Sequence, residues 1–179
     1  MLKTIKLDYD YSVFLNADYT THTGSCIKHQ VYELTDVHDS YGGFPKSYCF
    51  ENTLIHQLWW TADQVDYEEI GRQLDMEIIT VSTILQPPGC VVPLHRDTFY
   101  QINKNYPDRT ELKVRANIYL EDWKLGQFIQ YQTDNGYATS VNWHQGEGYM
   151  WDSSVLHLSS NAGMQNKYTL QVSGFLKES

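Results

Sequence analysis

From Glu77 to Leu85 the chain reads Glu-Ile-Ile-Thr-Val-Ser-Thr-Ile-Leu, a β-branched run that predicts a buried strand. Pro87-Pro88-Gly89 ends it, because two prolines remove two ladder donors. Val91 to Asp97 resumes as a second strand. Leu112 to Leu120 alternates: Val114, Ala116, Ile118 and Leu120 share one face, and Arg115, Asn117 and Tyr119 share the other. The apolar face is expected to meet a core beneath a helix, and the polar face a cavity or solvent. Phe128–Tyr131 and Tyr137–Val141 flank Thr133-Asp134-Asn135-Gly136, a hairpin signal. Gly146-Glu147-Gly148 is another turn, Tyr149 to Asp152 opens a further strand, and Asn166 to Leu176 alternates to close the chain. Six to eight strands with tight turns predict a mainly β fold, a jelly-roll or cupin-like double sheet.

Upstream the period differs. Leu2 to Leu7 predicts a strand, and Tyr41-Gly42-Gly43-Phe44-Pro45 a turn. Leu54, Ile55, Leu58 and Trp59 recur at helical spacing, and Val65, Ile70 and Leu74 form the stripe of a second helix. Thr61-Ala62-Asp63-Gln64 and Asp66-Tyr67-Glu68-Glu69 resemble capping boxes. Residues from about 52 to 75 are thus expected as two supporting helices against the sheet. Thr98 to Thr110 is polar and predicts a loop able to act as a lid. A single domain over 1–179 is expected, with N-terminal strands and supporting helices over 1–76 and the double sheet over 77–176.

Composition narrows the function classes. A net charge of −9 argues against a nucleic-acid partner, which would need clustered Lys and Arg. Cys26, Cys49 and Cys90 form no Cys-x-x-Cys pair, so neither a zinc knuckle nor a disulfide framework is predicted. Met1 to Asp8 lacks the apolar core of a signal peptide, and no run of about 18 apolar residues exists. A soluble, cytoplasmic protein without a membrane partner is expected.

The candidate chemistry starts at His95-Arg96-Asp97, where an extended chain turns an imidazole and a carboxylate to the same side. Two histidines and one carboxylate on one face are the ligand set of non-heme iron(II) oxygenases. Only His144 and His157 follow Asp97. His144 falls at a turn, whereas His157 follows a strand start and precedes the closing strand, so His157 is the expected third ligand. His22, His29, His38 and His56 carry no pattern and are read as surface or core residues. Taken alone, His95 also fits a core histidine and Asp97 a turn cap. Such an iron keeps three positions open, which a 2-oxo acid and O2 would fill. The far carboxylate of 2-oxoglutarate then needs a buried cation. Lys167 is the first candidate and Arg115 the second. Asp152 and Asn161 are expected to fix loops around His157, and Trp143 and Trp151 to pack. His95-Arg96-Asp97 also mimics a kinase catalytic loop, but the chain has no Asp-Phe-Gly.

Four motifs in order then become specific: Pro88-Gly89-x-x-Val92-x-x-His95-Arg96-Asp97; Arg115-x-Asn117; Gly148-Tyr149-x-Trp151-Asp152-x-Ser154-x-x-His157-x-x-x-Asn161; and Lys167-x-x-Leu170. Over about residues 78 to 176 the set resembles the aspartyl/asparaginyl β-hydroxylase-like branch of the Fe(II)/2-oxoglutarate oxygenases, and is similar to proline 3-hydroxylases. The resemblance implies a double-stranded β-helix, Fe(II) and 2-oxoglutarate, with O2 consumed and ascorbate as an aid. It implies His95, Asp97 and His157 as ligands and the basic residue after the distal His as the anchor of the 2-oxoglutarate tail. That residue is commonly Arg in this branch and is Lys167 here, as in the related prolyl 4-hydroxylases. Some members carry His where this chain has Asn117, which leaves Arg115 and Asn117 as contacts of either cosubstrate or substrate. Asp97 sets the chain apart from halogenases, where a small residue makes room for chloride. The implied reaction hydroxylates a C–H bond of an amino acid, or of an amino-acid residue in a peptide or protein, releasing succinate and CO2. The loop from Thr98 to Thr110 and the N-terminal aromatics are the expected substrate contacts. The alternative is a non-catalytic cupin-like protein that binds a metal or small molecule, told apart by O2-dependent succinate formation.

Overall fold

The computed structural model describes residues 1–19, 26–28 and 54–177. The turn expected at Tyr41–Pro45, together with His22, His29, His38 and Cys49, lies outside them. The described strands are β1 (Leu2–Lys6), β2 (Cys26–Lys28), β3 (Leu54–Trp60), β4 (Met76–Gln86), β5 (Cys90–His95), β6 (Lys113–Tyr119), β7 (Gln127–Thr133), β8 (Gly136–Ser140), β9 (Glu147–Trp151), β10 (His157–Asn161) and β11 (Lys167–Leu176). Among the described residues, three short helices interrupt them: α1 (Ser12–Leu15), α2 (Tyr67–Leu74) and α3 (Tyr100–Asn105).

The strands form two antiparallel sheets, a larger one in the order β1-β9-β6-β11-β4-β3-β2 and a smaller one in the order β5-β10-β7-β8. The chain crosses between sheets at the Pro87–Gly89 turn, where Gly89 takes φ +78°, and its N–H donates to Asn161 O at 2.7 Å. Non-consecutive neighbours in both sheets give the double-stranded β-helix.

Alternation along β6 sorts the layers as its sequence predicts. Val114, Ala116 and Ile118 pack with Met150, Leu170 and Val172 against Leu7, Phe14, Val65, Ile70 and Leu74. Burying each such side chain contributes about 1.5–3 kcal/mol, so this outer layer supplies most of the apolar burial. The opposite face, with Arg115, Asn117 and Tyr119, is thereby left free to carry polar groups toward the smaller sheet. Tyr119 there joins Ile129, Tyr131, Trp143 and Trp151 in a second, aromatic cluster.

The N-terminal part departs from the expected pair of helices. Only α2 forms, with the Asp66 side chain accepting from Glu69 N at 2.9 Å as the capping box requires. Leu54–Trp60 is a strand. Its edges pair with β2 and β4, and Ile55 and Gln57 alternate as buried positions, with the Gln57 amide donating to Ser82 Oγ at 2.9 Å. Pairing with β4 outweighs a helical spacing that four apolar residues meet by chance. The Thr61–Gln64 box closes, with Gln64 Oε1 accepting from Thr61 N and Oγ1, but it caps only a turn. The segment after β5 is likewise more ordered than a polar loop. It contains α3, and Phe99 and Ile102 are buried against Phe175. No described helix is long and apolar enough to cross a membrane.

Candidate metal centre

His95 ends β5 and His157 opens β10, and the two stand directly opposite each other in register. β5 stops at His95, two residues short of the expected end, and Asp97 follows in irregular backbone. One ligand atom from each of His95, Asp97 and His157 lies within 4.8 Å of the other two, and no other group of three metal-ligating side chains this tight occurs among the described residues. His144, the rejected alternative, is 78% exposed beside Asp122.

Both imidazoles are aimed by their own backbone. His95 Nδ1 sits 2.7 Å from Pro93 O and His157 Nδ1 3.1 Å from Val155 O. A carbonyl only accepts, so each Nδ1 carries a proton and Nε2 is the atom each ring would offer a metal. Burial lowers the pKa of His157, against the pull of Asp97, which favours the neutral ring a metal needs.

Asp97 is held on both oxygens. Arg115 Nη1 donates to Oδ1 at 2.5 Å, and the Trp151 indole N–H donates to Oδ2 at 2.6 Å. Burial alone would raise this carboxyl, but the Arg115 guanidinium, the two imidazoles and the indole outweigh it and hold the pKa at about 2. The carboxylate is therefore charged and oriented. With a donor on each oxygen it is disposed to give a metal one oxygen rather than two, which preserves open positions. Two imidazoles and one charged carboxylate with ligand atoms within 4.8 Å of one another fit a divalent non-heme iron.

The remaining predicted residues separate into two places. Arg115 lies beside the triad, with Nε donating to Ser173 Oγ at 3.1 Å. Asn117, two residues along the same face, is 8% exposed, and its Oδ1 has no hydrogen-bond partner among the described residues. Lys167 lies deeper, at the start of β11. It is 3% exposed, and its Nζ donates to Ser159 Oγ at 2.6 Å and to Phe128 O at 3.3 Å. No carboxylate pairs with it among the described residues, and desolvation pulls its pKa down to about 7. Ser159 follows His157 by two residues on β10, about 7 Å along the strand. Asp152 and Asn161 do fix loops: Asp152 Oδ1 accepts from Ser154 N at 2.8 Å, and Asn161 Nδ2 donates to Gln165 O at 2.8 Å.

Three contributors escaped the sequence reading. Trp151 packs as expected, its ring 4.7 Å from that of His157, but it also grips Asp97. Tyr131 stands opposite His157 in register, its hydroxyl buried beside that of Tyr119. Ser159 was reachable by the same i, i+2 rule that linked His95 to Asp97. Replacing Trp151 with Phe keeps the packing and removes one donor. The expected result is about tenfold weaker Mn(II) binding by electron paramagnetic resonance titration, and unchanged affinity would reduce the indole to packing.

No family model matches the chain, and no curated protein matches it. Among solved structures, a Pseudomonas putida prolyl-4-hydroxylase aligns over 86% of this chain and 92% of its own, with 18% identity and a TM-score of 0.51. The non-heme alpha ketoglutarate dependent epimerase SnoN from nogalamycin biosynthesis aligns over 69% of this chain and 64% of its own, with 10% identity and a TM-score of 0.52. At these identities the likeness is one of fold: the chain folds as a double-stranded β-helix like those two proteins.

Proposed function

We propose that the protein is an Fe(II)- and 2-oxoglutarate-dependent dioxygenase that hydroxylates a C–H bond of an amino acid or of an amino-acid residue in a peptide or protein. The observation that carries this is the Lys167 ammonium, buried with no carboxylate partner among the described residues and hydrogen-bonded to Ser159, two residues along β10 from His157 of the His-Asp-His cluster. A metal-binding module has no use for a buried cation that, among the described residues, only two hydrogen bonds and the face of Trp143 offset, since burying a charge without a counter-ion costs several kcal/mol. A cosubstrate with a carboxylate at its far end removes that cost. The motif resemblance supports hydroxylation, as does the fold shared with a protein named prolyl-4-hydroxylase.

In this reading His95, Asp97 and His157 hold the metal and Lys167 takes the distal carboxylate. Bound iron supplies O2 activation coupled to decarboxylation, so that 2-oxoglutarate, O2 and R–H become succinate, CO2 and R–OH. The protein's own work is to position and to exclude water. Arg115 acts through Asp97. Asn117 Oδ1 is left to accept from a donor on the substrate. The segment from Thr98 to Thr110, anchored by Phe99 and Ile102, contacts the substrate; of the N-terminal aromatics expected to do so, Tyr11 and Phe14 are instead buried in the outer layer, across the larger sheet from the site. The domain works as one unit, since β1 and β3 hydrogen-bond into the same sheet as β6 and β11.

The test is succinate release from 2-oxoglutarate by anaerobically purified protein given Fe(II), ascorbate and air, beside His95→Ala. Iron-dependent succinate that falls to background in the variant is expected. Because turnover without the true substrate is slow, binding of 2-oxoglutarate to the Mn(II) form is measured in the same preparation. Absence of both succinate and binding would leave the non-catalytic cupin-like reading in its place.

A further inference from the structure

Gln86 is the last residue of β4, 3% exposed, and stands opposite Lys167 in register. Its Nε2 donates to Cys90 O at 2.8 Å and to Ser159 O at 3.2 Å. Both partners are carbonyls, so chemistry fixes which end of the amide is nitrogen. Oε1 is then the atom 2.7 Å from Ser159 Oγ, and because it cannot donate, Ser159 gives it the only hydroxyl proton. Ser159 Oγ can face Lys167 Nζ, 2.6 Å away, only as an acceptor. One ammonium hydrogen goes to Ser159 and another to Phe128 O, and the ammonium also stands over the Trp143 ring, 5.7 Å from its centre, which leaves one hydrogen without an oxygen acceptor among the described residues. The Gln86 backbone is tied to the same place, with O accepting from Asn161 Nδ2 at 2.9 Å.

The network thus joins β4, β10 and β11, and β10 is the strand that opens with His157. Gln86 fixes the distance between the His-Asp-His cluster and the ammonium, and it withholds the Ser159 proton from any incoming carboxylate. Resting on the dioxygenase reading, we propose that Gln86 is a positioning residue that sets the length of 2-oxo diacid the barrel accepts. A metal at one end and an immobilised ammonium at the other measure the acid between them. Without Gln86, Ser159 can turn its proton to a carboxylate, and Lys167 gains freedom to follow a longer chain.

The experiment is calorimetric titration of the Mn(II)-loaded protein, without O2, with 2-oxoglutarate and with the one-carbon-longer 2-oxoadipate. Wild type is expected to prefer 2-oxoglutarate. Gln86→Leu is expected to weaken 2-oxoglutarate about tenfold, the scale of one charge-assisted hydrogen bond, and to erode the preference by a similar factor. Ser159→Ala, which spares the backbone anchors of Gln86, is expected to erode the preference in the same direction and stands in if Gln86→Leu fails to fold. Purely structural damage would weaken both acids alike. Variants that keep the wild-type affinity within twofold and the wild-type preference overturn the role of Gln86. Equal weakening of both acids overturns it too. Wild-type protein that binds neither acid overturns the dioxygenase reading itself.

Discussion

Asp97→Ala is expected to abolish turnover and to lower stability at the same time. A residue supporting a ligand typically tunes metal affinity by about 10–100-fold, so loss of the carboxylate itself should cost more than about hundredfold in Mn(II) binding. The stability effect has a separate origin. Asp97 is 5% exposed and accepts from both Arg115 and Trp151, and its removal leaves a guanidinium and an indole N–H without their acceptor. Breaking a buried pair from one side costs about 3–5 kcal/mol. The Arg115 side chain is 23% exposed and can recruit water, which places the loss at the low end. For a chain of this size that is a fall in Tm of roughly 10 °C. The pH dependence gives a second signature. The carboxyl pKa is depressed to about 2 in the fold, against about 3.9 unfolded. The unfolded chain therefore binds more protons between those values, so in metal-free wild type this contribution is present above about pH 4 and lost as pH falls toward 2. Thermal melts of Asp97→Ala should lack that acid limb. A variant melting like wild type at neutral pH would show that Arg115 and Trp151 do not depend on this carboxylate.

The core of that site was legible in the sequence, for a physical reason. Histidine and aspartate two residues apart on extended chain must share a side, and only two later histidines could join them. The alternation of β6 likewise announced which face would be polar. What stayed hidden depends on pairing across the fold. Trp151 and Arg115 converge on Asp97 because β9 and β6 are neighbours with those residues opposite each other, although they are 36 positions apart. No local pattern states that. Leu54–Trp60 went wrong for the same reason: its spacing suits a helix, while its pairing with β4 is a long-range choice. Phe99, at φ +50° and buried on Phe175, turned a segment that reads as polar loop into one with a packed base. The sequence showed the charge on Lys167 but not that, among the described residues, the neighbouring strands bring it a hydroxyl, a carbonyl and an indole face but no carboxylate.

Lys167→Met should separate function from stability in the opposite sense. Removing a hydrogen bond between charged partners costs about 1.5–3 kcal/mol, so binding of 2-oxoglutarate to the Mn(II) form is expected to weaken by about 100-fold, with Mn(II) affinity itself unchanged. Stability should hold or rise. Lys167 is buried, lacks a carboxylate among the described residues, and has a pKa of about 7 against an ordinary 10.5 because of desolvation. Exchanging an unpaired buried charge for an apolar chain of similar length is neutral or stabilising, offset in part by the lost donor to Ser159 and Phe128. The sign of the pH effect follows from the lowered value. Between about pH 7 and 10.5 the unfolded lysine holds a proton that the folded one has released, so this group's contribution to wild-type stability grows as pH rises through that window. Below about pH 7 both forms are protonated and the burial cost is felt in full. Lys167→Met should show its largest gain in Tm there, and the gain should shrink toward alkaline pH. Cosubstrate binding runs the other way, since the ammonium is the binding form: wild-type affinity should fall as pH rises above about 7, where the ligand-free lysine loses its proton, and the weak residual affinity of the variant should be flat. A variant that binds 2-oxoglutarate like wild type would place the distal carboxylate elsewhere in the barrel. One that unfolds would mean that the ammonium supports the structure through Ser159 and Phe128 rather than waiting for a ligand.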